Sequence, residues 1–221
     1  MERHGKEAKS MYSLILSDEV VSAVDRLAYQ MNTSRSGMIN RILAEYVSLL
    51  TPEKRIQTVF DEIQQLLAGT GFQLLMKPTS SMLSLRQALN YKYNPTMRYS
   101  IERINMGGVW RLQLKVLLRS QNQSLIRYLN QFFRIWQEVE NQLGNVKNGW
   151  SIEDARYLRP LQVPPEEVSD EDFGQQIARY IQALDQAMNL YFEHLPADAE
   201  TISMIGTVYQ AYLQDSAYPI K

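Results

Sequence analysis

The residues that most restrict what this chain can become are Met11 to Leu16, Met-Tyr-Ser-Leu-Ile-Leu. At a period of two, Tyr12, Leu14 and Leu16 fall on one face and Met11, Ser13 and Ile15 on the other. A single strand with an apolar face is not stable without a partner strand, and nothing else in the first 50 residues reads as one. Two amphipathic helices follow instead. Ser17 is placed to cap the first, with Asp18 and Glu19 in the opening turn where the helix dipole favours acids. Val20, Val21, Val24, Leu27, Ala28 and Met31 form its apolar stripe. After a turn at Met-Asn-Thr-Ser, Ser34 caps a second helix with the stripe Met38, Ile39, Ile42, Leu43, Tyr46 and Val47. The simplest completion of the orphan strand is a second copy of the chain. Two such strands pair antiparallel across a two-fold axis, and four helices close over their apolar face.

Three stretches carry a resemblance. They are the alternating Tyr-Ser-Leu-Ile-Leu-Ser, the helix start Leu-Ser-Asp-Glu-Val-Val-Ser-Ala-Val-Asp-Arg-Leu-Ala, and Asn-Thr-Ser-Arg-Ser-Gly-Met-Ile-Asn-Arg-Ile-Leu opening the second helix. In this order and spacing, residues 10–47 resemble the ribbon-helix-helix family of DNA-binding proteins. The resemblance implies an intertwined homodimer whose two-stranded ribbon enters the major groove of double-stranded DNA. It assigns base contacts to the groove-facing Met11, Ser13 and Ile15. It assigns phosphate contacts to Ser34, Arg35 and Ser36 at the start of the second helix, with Lys9 adding a contact at the ribbon's edge. Free N–H groups and the dipole make a helix N-terminus an anion site in any case. One departure from the family matters: its groove-facing strand positions are usually polar or basic, and here only Ser13 can hydrogen-bond a base edge. Met11 and Ile15 suit thymine methyls. Either the ribbon reads A/T-rich sequence by apolar contact, or it binds weakly and another surface supplies affinity, or it serves only to dimerise.

Thr51-Pro52-Glu53 restarts a helix, with a cap, proline at the first helical position and an acid next. Its stripe is Ile56, Val59, Phe60, Ile63, Leu66 and Leu67, and Gly69 stops it. The expected domains are therefore a ribbon-helix-helix unit over 1–50, a connector helix over 51–69, and an α+β regulatory or oligomerisation domain over 70–221. That last domain is expected to hold an antiparallel hairpin or small sheet and three or more helices. Met97–Ile104 and Val109–Arg119 flank Asn-Met-Gly-Gly, a hairpin turn by its glycines. The segment Met82–Tyr93 suits a third strand, although Leu85, Ala88 and Leu89 also suit a helix. A long helix is expected over 121–143, ended by Gly144. Tyr157–Val168 reads as a proline-rich connection. Ser169 is placed to cap another long helix, and Asp198 the last. The late aromatics Phe173, Tyr180, Tyr191, Phe192, Tyr209, Tyr212 and Tyr218 fall at helical spacing, which favours a core over a ligand pocket.

The chain carries 23 Lys+Arg and 24 Asp+Glu, a net charge of −1 that points to no partner. The distribution is uneven. Residues 77–134 hold ten basic side chains and the single acid Glu102, a balance of +9, while residues 135–221 hold five basic and fourteen acidic, a balance of −9. In the hairpin, Arg98, Ser100 and Glu102 share one face, as do Arg111, Gln113 and Lys115. Arg98, Arg111 and Lys115 are candidates for an accessory nucleic-acid contact through counterion release. The same pattern also suits a solvated sheet face, a surface turned to the acidic helices of its own chain or of a second copy, or a binding surface for an acidic ligand or protein.

With no Cys and only His4 and His194, thiolate catalysis, disulfides and His/Cys metal sites have no residues to build them. No Walker loop, dinucleotide fingerprint, nucleophile elbow or zinc-protease motif is present. The acid pairs Glu153-Asp154 and Asp170-Glu171-Asp172 read as helix-start acids. His194, before Pro196, reads as a helix-end or surface residue. No enzyme, no cofactor and no membrane contact is expected, and the location expected is the cytoplasm of a bacterium or the host of a phage or mobile element. The function expected is sequence-specific transcriptional regulation, repressor-like, by a homodimer or a higher oligomer. Two alternatives stand beside it. One is a plasmid or mobile-element accessory protein that organises DNA in partition or mobilisation. The other is a protein-interaction module that keeps only the dimer fold. No small-molecule effector is identified by these residues.

Overall fold

Ser17, Ser34, Ser169 and Asp198 each stand just before a run of helical periodicity, and each begins a helix. The computed structural model describes residues 13–46, 52–106, 109–146, 150–162, 164, 167–216 and 218–220, without the side chains of residues 52 and 105–110. Among these it is an α+β protein of six helices and one six-stranded antiparallel sheet. The chain divides into two compact units, Met1–Arg55 and Ile56–Lys221.

In the first unit, α1 spans Asp18–Gln30 and α2 spans Arg35–Tyr46. The Ser17 hydroxyl accepts from the Val20 amide at 3.4 Å, and that of Ser34 from the Gly37 amide at 3.1 Å. Each satisfies one of the N–H groups a helix start leaves over. Asn32, with φ 49°, turns the chain between the helices. The buried cluster is small: Val24, Ala28 and Met38, with Ile39 packed against it. Ser13–Leu16 belong to no strand within this single chain. The expected pairing draws on a second copy, and Met11 and Tyr12 lie outside the described residues.

The second unit begins within α3 (Pro52–Leu67), and the buried Val59, Phe60, Ile63 and Leu67 of that helix belong to its core. Strands β1 (Gln73–Leu74), β2 (Met82–Ala88), β3 (Thr96–Met106) and β4 (Val109–Leu117) follow. Helix α4 (Gln123–Gly144), the hairpin β5 (Ser151–Glu153) and β6 (Arg156–Leu161), and helices α5 (Asp170–Glu193) and α6 (Ala199–Asp215) complete it. The sheet order is β1-β2-β3-β4-β6-β5. Alternation places Leu83 and Leu85, Met97, Tyr99 and Ile101, Leu112, Leu114 and Val116, and Tyr157 on one face, all buried. With them lie Leu129, Phe132, Phe133 and Trp136 of α4, Ile177, Tyr180, Leu184 and Tyr191 of α5, and Ile205 and Tyr209 of α6. The Phe133 ring stacks on Tyr157 at 5.2 Å, and Trp136 meets Tyr209 edge-on at 5.3 Å. The late aromatics thus build a core, apart from the half-exposed Tyr218. Gly174 on α5 has no room for a side chain, since a Cβ there would stand 2.8 Å from the Val59 carbonyl oxygen of α3.

Two readings are corrected. Arg156–Leu161 is a sheet strand, not a connection. Pro160 is tolerated because β5 pairs only with Arg156–Leu158, so beyond Leu158 one edge of β6 needs no ladder donor. Glu153 and Asp154 do not start a helix. Glu153 ends β5, and Asp154 and Ala155 form a two-residue turn with φ 47° and 56°, the mirror-image turn that matches strand twist. At the end of α4, the cap is Asn145 at φ 52°, one residue beyond Gly144. His194 caps α5, its Nδ1 2.9 Å from the Leu190 carbonyl oxygen.

The core also holds a polar network. The Glu140 carboxylate, fully buried on α4, takes Arg159 Nε at 2.9 Å on Oε1, and Trp150 Nε1 and the Tyr157 hydroxyl, each at 2.8 Å, on Oε2. Arg159 Nη2 donates to the Ile220 carbonyl oxygen at 2.9 Å, and its guanidinium lies 4.6 Å from the Tyr180 ring centre. Trp136 Nε1 donates to the Tyr180 hydroxyl at 2.8 Å. Burial, then the charge of Glu140, holds the Tyr180 phenol well above its ordinary range, so it stays neutral. This network ties α4, β6, α5 and the C-terminal tail together.

Candidate nucleic-acid interface

The start of α2 brings together three of the expected phosphate contacts. Ser34 occupies the cap position, Arg35 and Ser36 are the first two helical residues, and all three are exposed. Because the Ser34 hydroxyl takes the Gly37 amide, the amides of Arg35 and Ser36 are the ones directed beyond the helix end. The Arg35 side chain does not point there freely. Its Nε and Nη2 grip the Asp25 carboxylate of α1 at 2.6 and 2.5 Å, a bidentate pair. The hydrogen bond from Arg35 holds the Asp25 carboxyl below its usual range. The pair is solvent-exposed, so a phosphate can compete for it. Of the expected base contacts, Ser13 and Ile15 are exposed, Ile15 fully so. Met11 and Lys9 lie outside the described residues.

The apolar faces of α1 and α2 are largely uncovered. Leu14, Leu16, Val20, Leu27, Met31, Ile42 and Leu43 are all exposed, Leu14 at 59% and Met31 at 49%. The stripes predicted for a core are present, yet among the described residues of one chain only three of them are buried.

In the second unit, Arg98, Arg111 and Lys115 lie on the sheet face opposite the core, as the alternation requires. They differ in state. Lys115 Nζ is paired with Glu102 at 3.1 Å and both are half-buried. Arg111 is exposed and Arg98 half-buried, and neither has a carboxylate partner among the described residues. The register adds cations that the sequence pattern did not bring together. Arg86 stands directly across from Arg98, Arg98 across from Leu117, and Leu117 across from Arg156. Arg156 was missed because Pro160 argued against a strand; the alternation Tyr157, Arg159, Leu161 was the signal that could have placed it.

Among the described residues no group of three or more His, Asp or Glu is placed to hold a metal ion, and no helix is long and apolar enough to cross a membrane. Comparison of the chain with protein-family models, with curated proteins and with solved structures finds no match.

Proposed function

We propose that this chain is a sequence-specific DNA-binding transcriptional regulator that acts as a homodimer. Strands from two copies pair as an antiparallel ribbon in the major groove, and the second unit regulates or oligomerises. The observation that carries this reading is the apolar face of the first unit. Among the described residues, a helix pair with two good caps and a three-residue core, together with the segment before it, leaves Leu14, Val20, Leu27, Met31 and Leu43 in water. Each such side chain is worth about 1.5–3 kcal/mol when buried, so the unit gains its stability from a second copy that covers the same face. Two-fold pairing places both Ser13 side chains on the ribbon's outer face and brings two α2 N-termini to flank it. Arg35 then exchanges Asp25 for a phosphate, and the Arg35 and Ser36 amides complete the anion site.

The test is selection of a preferred duplex by the full-length protein, followed by binding of Ser13→Ala and Arg35→Ala. Both variants are expected to remain dimers by sedimentation. Ser13→Ala should lose discrimination between preferred and random duplex, roughly 5- to 160-fold for one base contact of about 1–3 kcal/mol. Arg35→Ala should weaken both alike. A monomeric wild type, or affinity unchanged in both variants, overturns the reading.

A further inference from the structure

The open face of the six-stranded sheet carries a row of cations whose arrangement works against the stability of the free protein. Arg86 and Arg98 are direct cross-strand neighbours, and like charges so placed are destabilising. Arg86 is turned to Gln73 Oε1, at 3.0 and 3.2 Å, and Arg98 has no carboxylate partner among the described residues. The row continues through Leu117 to Arg156, and Arg111 stands further along the same face of β4. At the Arg156 end the face opens into a groove of about 830 Å³ between the β4–α4 loop and the β5–β6 turn, lined by Lys115, Leu117, Arg119, Ile126, Asp154 and Arg156. Among the described residues, Glu102, Glu153 and the groove-lining Asp154 oppose these charges, and Glu102 is taken by Lys115.

We propose that this face is a second, sequence-independent contact for the phosphate backbone of duplex DNA, made chiefly by Arg98, Arg111 and Arg156. The composition of the face selects the ligand. Binding of single strands uses aromatic platforms on which bases stack. Here every strand aromatic whose side chain is described, Tyr99 and Tyr157, points into the core, while the open face carries Ala88, Ile104, Gln113, Leu158 and Pro160 between its cations, and Ser84 and Ser100 lie buried among them, bonded to each other at 2.9 Å. Such a surface offers charge and hydrogen bonds to a backbone and nothing that reads a base. The proposal deepens the DNA-binding reading by supplying the affinity that a ribbon with two apolar groove positions lacks.

The experiment measures binding of the full-length protein to a random 20-base-pair duplex across a salt series. The wild type is compared with Arg98→Gln/Arg111→Gln/Arg156→Gln and with the corresponding triple Lys variant. Removing three phosphate contacts is expected to lower the slope of log affinity against log salt by about 2.7, at about 0.9 per contact. The Lys variant keeps the wild-type slope. If the triple Gln variant loses its circular-dichroism signature of folding, the exposed pair Arg111→Gln/Arg156→Gln carries the test, with an expected drop of about 1.8. A Gln-variant slope equal to that of the wild type overturns the second contact and leaves the ribbon reading standing. A wild type without salt-dependent affinity overturns both. A 20-nucleotide single strand bound with the same slope, equally reduced by the substitutions, overturns the assignment to duplex.

Discussion

Glu140→Gln is the change that most directly tests how the second unit is held together. The carboxylate is fully buried and takes three donors, from Arg159, Trp150 and Tyr157. A glutamine fits the same volume but brings one NH2 group into a site where every neighbour donates. If its nitrogen replaces Oε2 it faces the Trp150 N–H, which cannot reverse its role; if it replaces Oε1 it faces the Arg159 N–H, which cannot either. The substitution also leaves the Arg159 guanidinium buried without its counter-charge. Breaking a buried pair from one side costs about 3–5 kcal/mol, a large part of the roughly 5–15 kcal/mol that holds a domain. With a urea slope of about 2 kcal/mol/M, the midpoint should fall by roughly 1.5–2.5 M. Urea titration followed by the fluorescence of Trp136 and Trp150 reads this directly. The double replacement Glu140→Leu/Arg159→Met should cost less than either half alone, because no unpaired charge then remains. A midpoint within about 0.5 M of the wild type for Glu140→Gln, or a double variant as costly as the sum of its halves, would show that the pair is not what fastens α4 to β6.

Gly174→Ala should destabilise the protein by about 1–3 kcal/mol in the same titration, since the new methyl meets backbone rather than a flexible side chain. Gly206→Ala, in α6 with nothing within 4 Å of where its methyl would stand, should stabilise it by about 0.5–1 kcal/mol; equal effects at the two sites would refute the α3–α5 close approach. Asp185, which accepts from the Tyr99 hydroxyl at 2.6 Å, is pushed up from 3.8 to about 6 by burial, against the pull of hydrogen bonds from Tyr99 and Gln87. Its contribution is therefore full below pH 3.8 and lost as pH rises through about 6, a fall of up to roughly 3 kcal/mol. Asp185→Asn should flatten that part of the stability profile between about pH 4 and 7, and an unchanged profile would refute the assignment. Arg98→Gln should raise the stability of the free protein by about 0.2–1 kcal/mol by removing the like-charge pair with Arg86, measured by thermal unfolding without DNA.

How much was legible in the chain varies by element. The helices announced themselves, because a cap and a 3.6-residue stripe are local: Ser17, Ser34, Ser169 and Asp198 each do in the structure what their neighbours in sequence require. The pairing of β3 with β4 was legible for the same reason, through alternation in both segments. The apolar stripes of α1 and α2 were legible too. Tertiary structure decided what depends on residues far apart in the chain. Pro160 signals a break locally, but it sits in β6 because the short β5 leaves that edge free. Arg159 and Glu140, 19 residues apart, carry no motif. They meet because β6 inserts beside β4 and turns Arg159 inward. The row Arg86, Arg98 and Arg156 exists only through strand register, which sequence spacing does not encode. Local propensity sets the elements; which side chains face one another is set by how the sheet closes.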